Sequence, residues 1–153
     1  MHTDSSQKQK ETIYGGCVVW NEAGILIRGP SGAGKSSLAR MILFEADRRG
    51  EFASLVSDDR TILSCHSGRL IAEPVPVLAG KLEIRGFGII DCPFEPAAVI
   101  HLIIDIVEKN MVPRVAYPED LHSTLLGITL QRIVLPLDVS SISAISECLK
   151  CFR

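Results

Sequence analysis

The sequence predicts an α/β fold, a mixed sheet with flanking helices, on three observations. Gly29-Pro30-Ser31-Gly32-Ala33-Gly34-Lys35-Ser36 fits the glycine-rich phosphate loop G-x-x-x-x-G-K-[ST]. The short apolar run Ile25-Leu26-Ile27 leads into it, as a buried strand would. An amphipathic stretch from Ser37 through Leu38, Ala39, Met41, Ile42, Leu43, Phe44 and Ala46 follows it, as a helix would. Strand, loop and helix in that order are the context in which the motif carries chemistry.

The residue types explain that chemistry. Gly32 and Gly34 accept positive φ and let backbone N–H groups turn toward phosphate oxygens. The helix N-terminus adds its positive dipole end. Lys35 supplies a point charge, Ser36 a hydroxyl for Mg²⁺, and Ser37 completes the binding stretch Gly29–Ser37.

With 153 residues the chain is long enough for one domain with its own core. A net charge of −2 leaves no basic footprint for nucleic acid. Its longest apolar run, residues 97–107, contains His101 and Asp105 and is too short to cross a bilayer. No membrane association is expected, and a soluble cytoplasmic protein is. Five scattered cysteines argue against a disulfide framework, and Cys148-Leu149-Lys150-Cys151 reads as two ordinary helix-end cysteines.

Residues 1–12 read as a disordered polar tail and residues 13–153 as a single catalytic domain. Tyr14 to Trp20 is a strand that turns at residues 21–24 into the strand before the phosphate loop. Gly50 ends the helix. Phe52 to Ser57 forms the next strand and ends in Asp58-Asp59, where a metal-linked or base-acting carboxylate belongs. Thr61 to Ile71 is a hairpin around Ser67-Gly68. In the stretch Lys81 to Asp91, Glu83 and Arg85 alternate with Leu82 and Ile84 as on a strand with one polar face, and Gly86 and Gly88 free the backbone for close approach. Glu83 and Arg85 could serve a metal and a phosphate, or form a surface ion pair. Val99 to Val107 is a buried strand that holds Asp105 inside it, which favours Asp58-Asp59 over Asp105 for the carboxylate role. Arg114 lies in a proline-flanked loop. Leu125 to Leu135 is strand interrupted at Gly127 and at Gln131-Arg132, and Ser140 or Ser141 caps a last helix carrying Ile142, Ile145 and Leu149 on one face.

The phosphate loop, Leu55-Val56-Ser57-Asp58-Asp59 and Glu83-Ile84-Arg85-Gly86-Phe87-Gly88-Ile89-Ile90, in that order, resemble the catalytic domain of HPr kinase/phosphorylase. The resemblance covers residues 13–135 and is to the short form without the family's separate N-terminal domain. It implies the P-loop kinase architecture shared with phosphoenolpyruvate carboxykinase. It also implies phosphorylation of a serine of the phosphocarrier HPr from ATP, or from pyrophosphate in some members. In reverse, inorganic phosphate attacks phosphoserine and releases pyrophosphate. The partners it implies are the nucleotide, HPr and further copies of the chain in a homo-oligomer.

Carried over, Lys35 and the loop amides bind phosphates and Ser36 with Glu83 holds Mg²⁺. Asp59, with Asp58 beside it, takes the serine proton. Arg114 matches the catalytic arginine, and Arg132 falls in the segment used for dephosphorylation. The sequence departs from the family at Tyr14, where histidine is usual, around Arg132, which lacks the Pro/Gly/Arg-rich pattern, and in a shortened 91–99 loop. These departures bear on phosphorolysis and HPr docking and leave the phosphate-binding core untouched. A P-loop small-molecule kinase and a non-catalytic ATP- or phosphate-sensing module are the other readings the residues allow.

Overall fold

The computed structural model describes residues 9–151. Its strands are β1 (Lys10–Trp20), β2 (Ala23–Arg28), β3 (Ala53–Ser57), β4 (Arg60–His66), β5 (Arg69–Pro74), β6 (Lys81–Ile84), β7 (Gly88–Asp91), β8 (Ala98–Ile106), β9 (His122–Leu125) and β10 (Ile128–Leu135). Two α-helices, α1 (Lys35–Arg48) and α2 (Ser140–Lys150), complete it with three short 3-10 turns.

Two long strands organise the sheet. The first half of β1 pairs antiparallel with β4. Its second half pairs antiparallel with β2 on one side and β3 on the other. β8 starts against β5 and then runs parallel to β2 and β10, while β9 closes the far edge against β10. β6 and β7 form a separate two-stranded sheet. The result is a mixed sheet in which β2, β8 and β10 point the same way.

The strand sequences explain the layering. Side chains alternate across a strand, and in β2 this sends Ile25 and Ile27 to one face and Leu26 to the other. On the first face they pack with Leu38, Ala39 and Ile42 of α1 and Ile142 and Ile145 of α2. On the second, Leu26 packs with Cys17, Val56, Leu63, Leu70 and Ile103, closing β4 and β5 over the sheet. Both faces of β2 and β8 are therefore buried, which accounts for their nearly unbroken apolar runs.

The structure corrects several expectations. Residues 1–8 of the expected tail lie outside the described residues, but Lys10, Glu11 and Thr12 are strand, opposite Ser64, Leu63 and Ile62. Their polar side chains are no obstacle, because pairing satisfies the backbone while the side chains meet solvent. Lys81 to Asp91 is two strands, with Phe87 N donating to Ile84 O (2.9 Å) at the turn, so Arg85 and Gly86 occupy a hairpin tip. β10 runs unbroken through Gln131 and Arg132, and Gly127 sits with Leu126 at the β9–β10 turn. Neither candidate serine caps α2 through its side chain; the carboxylate of Asp138 accepts from the Ser140 N–H at 3.1 Å, and the Ser141 hydroxyl donates to the Pro136 carbonyl at 2.6 Å. Among the described residues no helix is long and apolar enough to cross a membrane.

Gly24 permits the closest approach in the sheet. A Cβ there would lie 2.2 Å from the Val99 carbonyl oxygen, a backbone atom that cannot swing aside. Gly24→Ala is expected to destabilise the fold by about 3 kcal/mol, the upper range for overpacking, read as a lowered denaturant midpoint in equilibrium unfolding.

Candidate active site

The phosphate loop leaves β2 at Arg28 and enters α1 at Lys35, at the edge where the parallel strands end. Three strand ends surround it. The Ile106 carbonyl after β8 lies against Gly29, and the side chain of Leu137, just past β10, packs onto Gly34. Asp58, just past β3, reaches Ser36. Gly34 has φ +100°, and a Cβ there would come within 2.3 Å of Leu137 Cδ2, so conformation and space both require glycine. Lys35 Nζ donates to the carbonyls of Gly29 (2.8 Å) and Pro30 (3.3 Å), curling over the loop, and Ala33 N donates to Pro30 O (3.0 Å). Ser31 and Gly32 are exposed, and the N–H groups of Gly34, Lys35 and Ser36 donate no hydrogen bond among the described residues. Unpaired N–H groups at a helix start, beside a lysine, make an anion-binding cradle.

The two adjacent carboxylates have different surroundings. Asp58 Oδ1 accepts from the Ser36 hydroxyl at 2.6 Å, and its Oδ2 accepts from the Glu83 backbone N–H at 3.0 Å. One side chain thus ties the loop, the end of β3 and the start of the β6–β7 hairpin together. Asp59 instead has φ +65°, a conformation that costs a non-glycine residue on the order of 1 kcal/mol. Its backbone carbonyl accepts from Gly15 N at 2.8 Å, and its exposed carboxylate has no hydrogen bond or ion pair among the described residues. Tyr14, also exposed, sits one residue from that Gly15 contact, with the Arg60 guanidinium 5.5 Å from its ring centre.

Ser36 and Asp58 present adjoining hard oxygen donors, the kind Mg²⁺ accepts when phosphates and water supply the remaining ligands. Glu83 contributes its backbone to this corner, and its carboxylate is exposed on β6. Cys92 lies close enough to sense the same charge. Burial, then Asp58, then Asp91 raise its thiol above the ordinary cysteine range, so it stays protonated and is no nucleophile.

The arginines divide into two sets. Arg85 and Arg114 are exposed and make no hydrogen bond or ion pair among the described residues. Arg132 is engaged: it donates through Nε to Asp105 Oδ2 and through Nη1 to the Asp120 carbonyl at 3.0 Å. Asp105 also accepts two bonds from Arg28, Nε to Oδ1 and Nη2 to Oδ2, both 2.8 Å. Burial pushes the Asp105 pKa up, but the hydrogen bonds from Arg28 and Arg132 outweigh it and hold the carboxyl below its ordinary value. A depressed folded-state pKa means that this contribution to stability is present above about pH 4 and is lost as the pH falls through the folded value.

Sequence reasoning set Asp105 aside and did not single out Arg28 or Leu137. A signal existed for the first two: charges in apolar strands need partners, and Arg28 ends one such run while Asp105 lies inside another. For Leu137 there was none. Two clefts, of about 720 and 860 Å³, lie by residues such as Trp20, Phe52 and His101 and include no phosphate-loop residue. Shape alone would point there; the unpaired amides, lysine and carboxylates point to the loop, and chemistry is the stronger guide to an anion site.

Comparison with known proteins shows which family the chain resembles. The family described as HPr Serine kinase C-terminal domain matches residues 6–148. HPr kinase/phosphorylase of Clostridium acetobutylicum is 31% identical over 150 residues, covering 89% of this chain and 46% of that protein. That of Streptococcus thermophilus is 38% identical over 91 residues, covering 59% of this chain and 28% of that protein. The chain thus spans less than half the length of these curated relatives. The solved structure of the HPr(Ser) kinase/phosphatase from Coxiella burnetii superposes with a TM-score of 0.76 at 26% identity, covering 94% of this chain and 90% of that one. With the match extending over nearly its whole length, the chain belongs to the HPr serine kinase C-terminal domain family.

Proposed function

We propose that this chain is a P-loop protein kinase, of the architecture shared with phosphoenolpyruvate carboxykinase, that transfers the terminal phosphoryl group of ATP to a serine of HPr. The observation that carries the reading is the divergence of the two carboxylates at the loop: Asp58 is held by Ser36 and the Glu83 amide, while Asp59 stands open beside them. Family membership and the names of its relatives point to HPr as the protein substrate and to inorganic phosphate as the reverse substrate.

Phosphoryl transfer needs alignment and charge neutralisation more than covalent catalysis. In this reading the unpaired amides of Gly34, Lys35 and Ser36 and the Lys35 ammonium bind phosphate oxygens. Lys35 leaves the Gly29 and Pro30 carbonyls to do so. Ser36 and Asp58, with Glu83 of β6, would hold Mg²⁺, which would supply neutralising charge for the phosphates. Asp59 accepts the proton of the serine hydroxyl as the new O–P bond forms. Its unusual backbone conformation suits a group held for function rather than for packing. Arg114, exposed and without a bond among the described residues, is the cation that meets charge developing on the transferred group. The bonds of Arg132 to Asp105 and to the Asp120 carbonyl favour a supporting role over direct contact with phosphate.

Intact-mass measurement of HPr incubated with the protein, ATP and Mg²⁺ tests the reading: one added phosphate on serine supports it, and no addition with ATP still bound overturns it. Asp59→Asn should lower the transfer rate by about 10²–10⁴-fold, as expected for a lost general base, with nucleotide affinity retained in equilibrium dialysis. Unchanged transfer would remove Asp59 from the mechanism. Lys35→Ala should abolish measurable nucleotide binding in the same dialysis. Asp58→Asn should raise the Mg²⁺ concentration needed for half-maximal transfer; a titration matching the parent would make Asp58 structural.

A further inference from the structure

We propose that Asp105 is a positioning residue that holds the loop bearing Arg114 against the phosphate-loop strand through simultaneous bonds to Arg28 and Arg132. The inference rests on the kinase reading for its catalytic consequence, but its structural half stands apart from it.

The carboxylate is the common point of three strands, β8, β2 and β10. Asp105 lies near the end of β8, where its register partner in β2 is Arg28, the residue before Gly29. Arg28 engages both oxygens and also reaches the Ser123 hydroxyl of β9 at 3.3 Å. Arg132 of β10 adds its bond to Oδ2 and grips the Asp120 carbonyl at the far end of the 107–121 segment. That segment starts directly after β8, where Val107 N donates to Leu135 O at 3.0 Å. It carries Arg114, and its own hydrogen bonds are local: Met111 N to Glu108 O (2.8 Å) and Asp120 N to Tyr117 O (2.9 Å). Its residues from Pro113 to Glu119 are exposed, so little packing fixes it. Asp105 itself is well covered, with 15% of its side chain exposed.

Such a trio is a poor device for stability alone. Apolar side chains of like volume often serve a buried site as well as or better than charges do. A bidentate guanidinium–carboxylate pair does fix direction, because both groups are planar. Here one carboxylate sets the angle of two arginines. One of them precedes the cradle and the other anchors the segment that must bring a cation to it. A displacement of about 1 Å at a reacting group can cost on the order of a hundredfold in rate.

Hydrogen exchange on the full chain, read with the transfer assay, tests the proposal. In Asp105→Asn, exchange of amides in residues 107–121 should rise at least about tenfold, the scale of a lost charge-assisted hydrogen bond, while α1 is unchanged. Arg132→Met, which keeps the Arg28–Asp105 pair, should loosen the same segment and supplies the result if Asp105→Asn does not fold. Loop exchange equal to the parent in the folded variants overturns the proposal, whatever the substrate. For the rate, Asp105→Asn should lower kcat about 10- to 100-fold with nucleotide affinity within about threefold. Combined with Arg114→Ala it should be no slower than Arg114→Ala alone. Multiplicative losses would mean that Asp105 acts independently of Arg114 and would also overturn the proposal. A parent protein that transfers nothing to HPr would defeat the kinase reading, while the exchange experiment would still decide the role of Asp105.

Discussion

Parallel pairing of β2 with β8 is the constraint on which the rest of this molecule depends. The register runs from Gly24 opposite Ile100 to Arg28 opposite Asp105, and it starts where the Gly24 backbone touches the Val99 carbonyl. Both strands are covered on both faces, by α1 and α2 on one side and by β4 and β5 on the other. Sliding that register would expose apolar side chains on two layers at once. It would also part Gly29 from Ile106 and Arg28 from Asp105. The position of the cradle is therefore set by core packing several residues away from it.

The candidate site divides its labour between held and open groups. Asp58, Arg28, Asp105 and Arg132 are bound to neighbours, and each bond joins separate elements of the fold. The side chains of Asp59, Arg114 and Arg85 are exposed and make no hydrogen bond or ion pair among the described residues. The first set suits a frame that keeps its geometry through a reaction. The second has charge available for a substrate. Lys35 lies between them, resting on carbonyls of its own loop that a phosphate could replace. Two acidic residues adjacent in sequence are assigned to different sets because the chain turns at Asp59 into the left-handed region.

Much of this was legible in the residues. The glycine loop, its strand and its helix are local features, and local features leave local patterns: an apolar run, a glycine spacing and an amphipathic repeat. The β1–β2 and β4–β5 hairpins were legible for the same reason. The alternation of Leu82 to Arg85 reads as strand, but Arg85 falls at the turn, and only the pairing of Glu83 with Ile89 reveals the fold-back. Gln131 and Arg132 looked like an interruption because polar residues weaken a buried strand unless they have partners. Arg132 finds them in Asp105 and Asp120. The serines before α2 looked like caps, but the Ser141 hydroxyl is taken by Pro136 and the carboxylate of Asp138 bonds the Ser140 N–H instead.

By itself the sequence determined the α/β class, the glycine loop between its strand and helix, and the family pattern of motifs, because each is written in neighbouring residues. Tertiary structure alone decided which of Asp58 and Asp59 binds Ser36, that Leu137 covers Gly34, and that Asp105 joins Arg28 to Arg132. The physical reason is distance along the chain. Arg28 and Asp105 are 77 positions apart, and no local propensity or periodicity says which of many charged residues will meet. That follows from the sheet register, which the packing of both its faces sets.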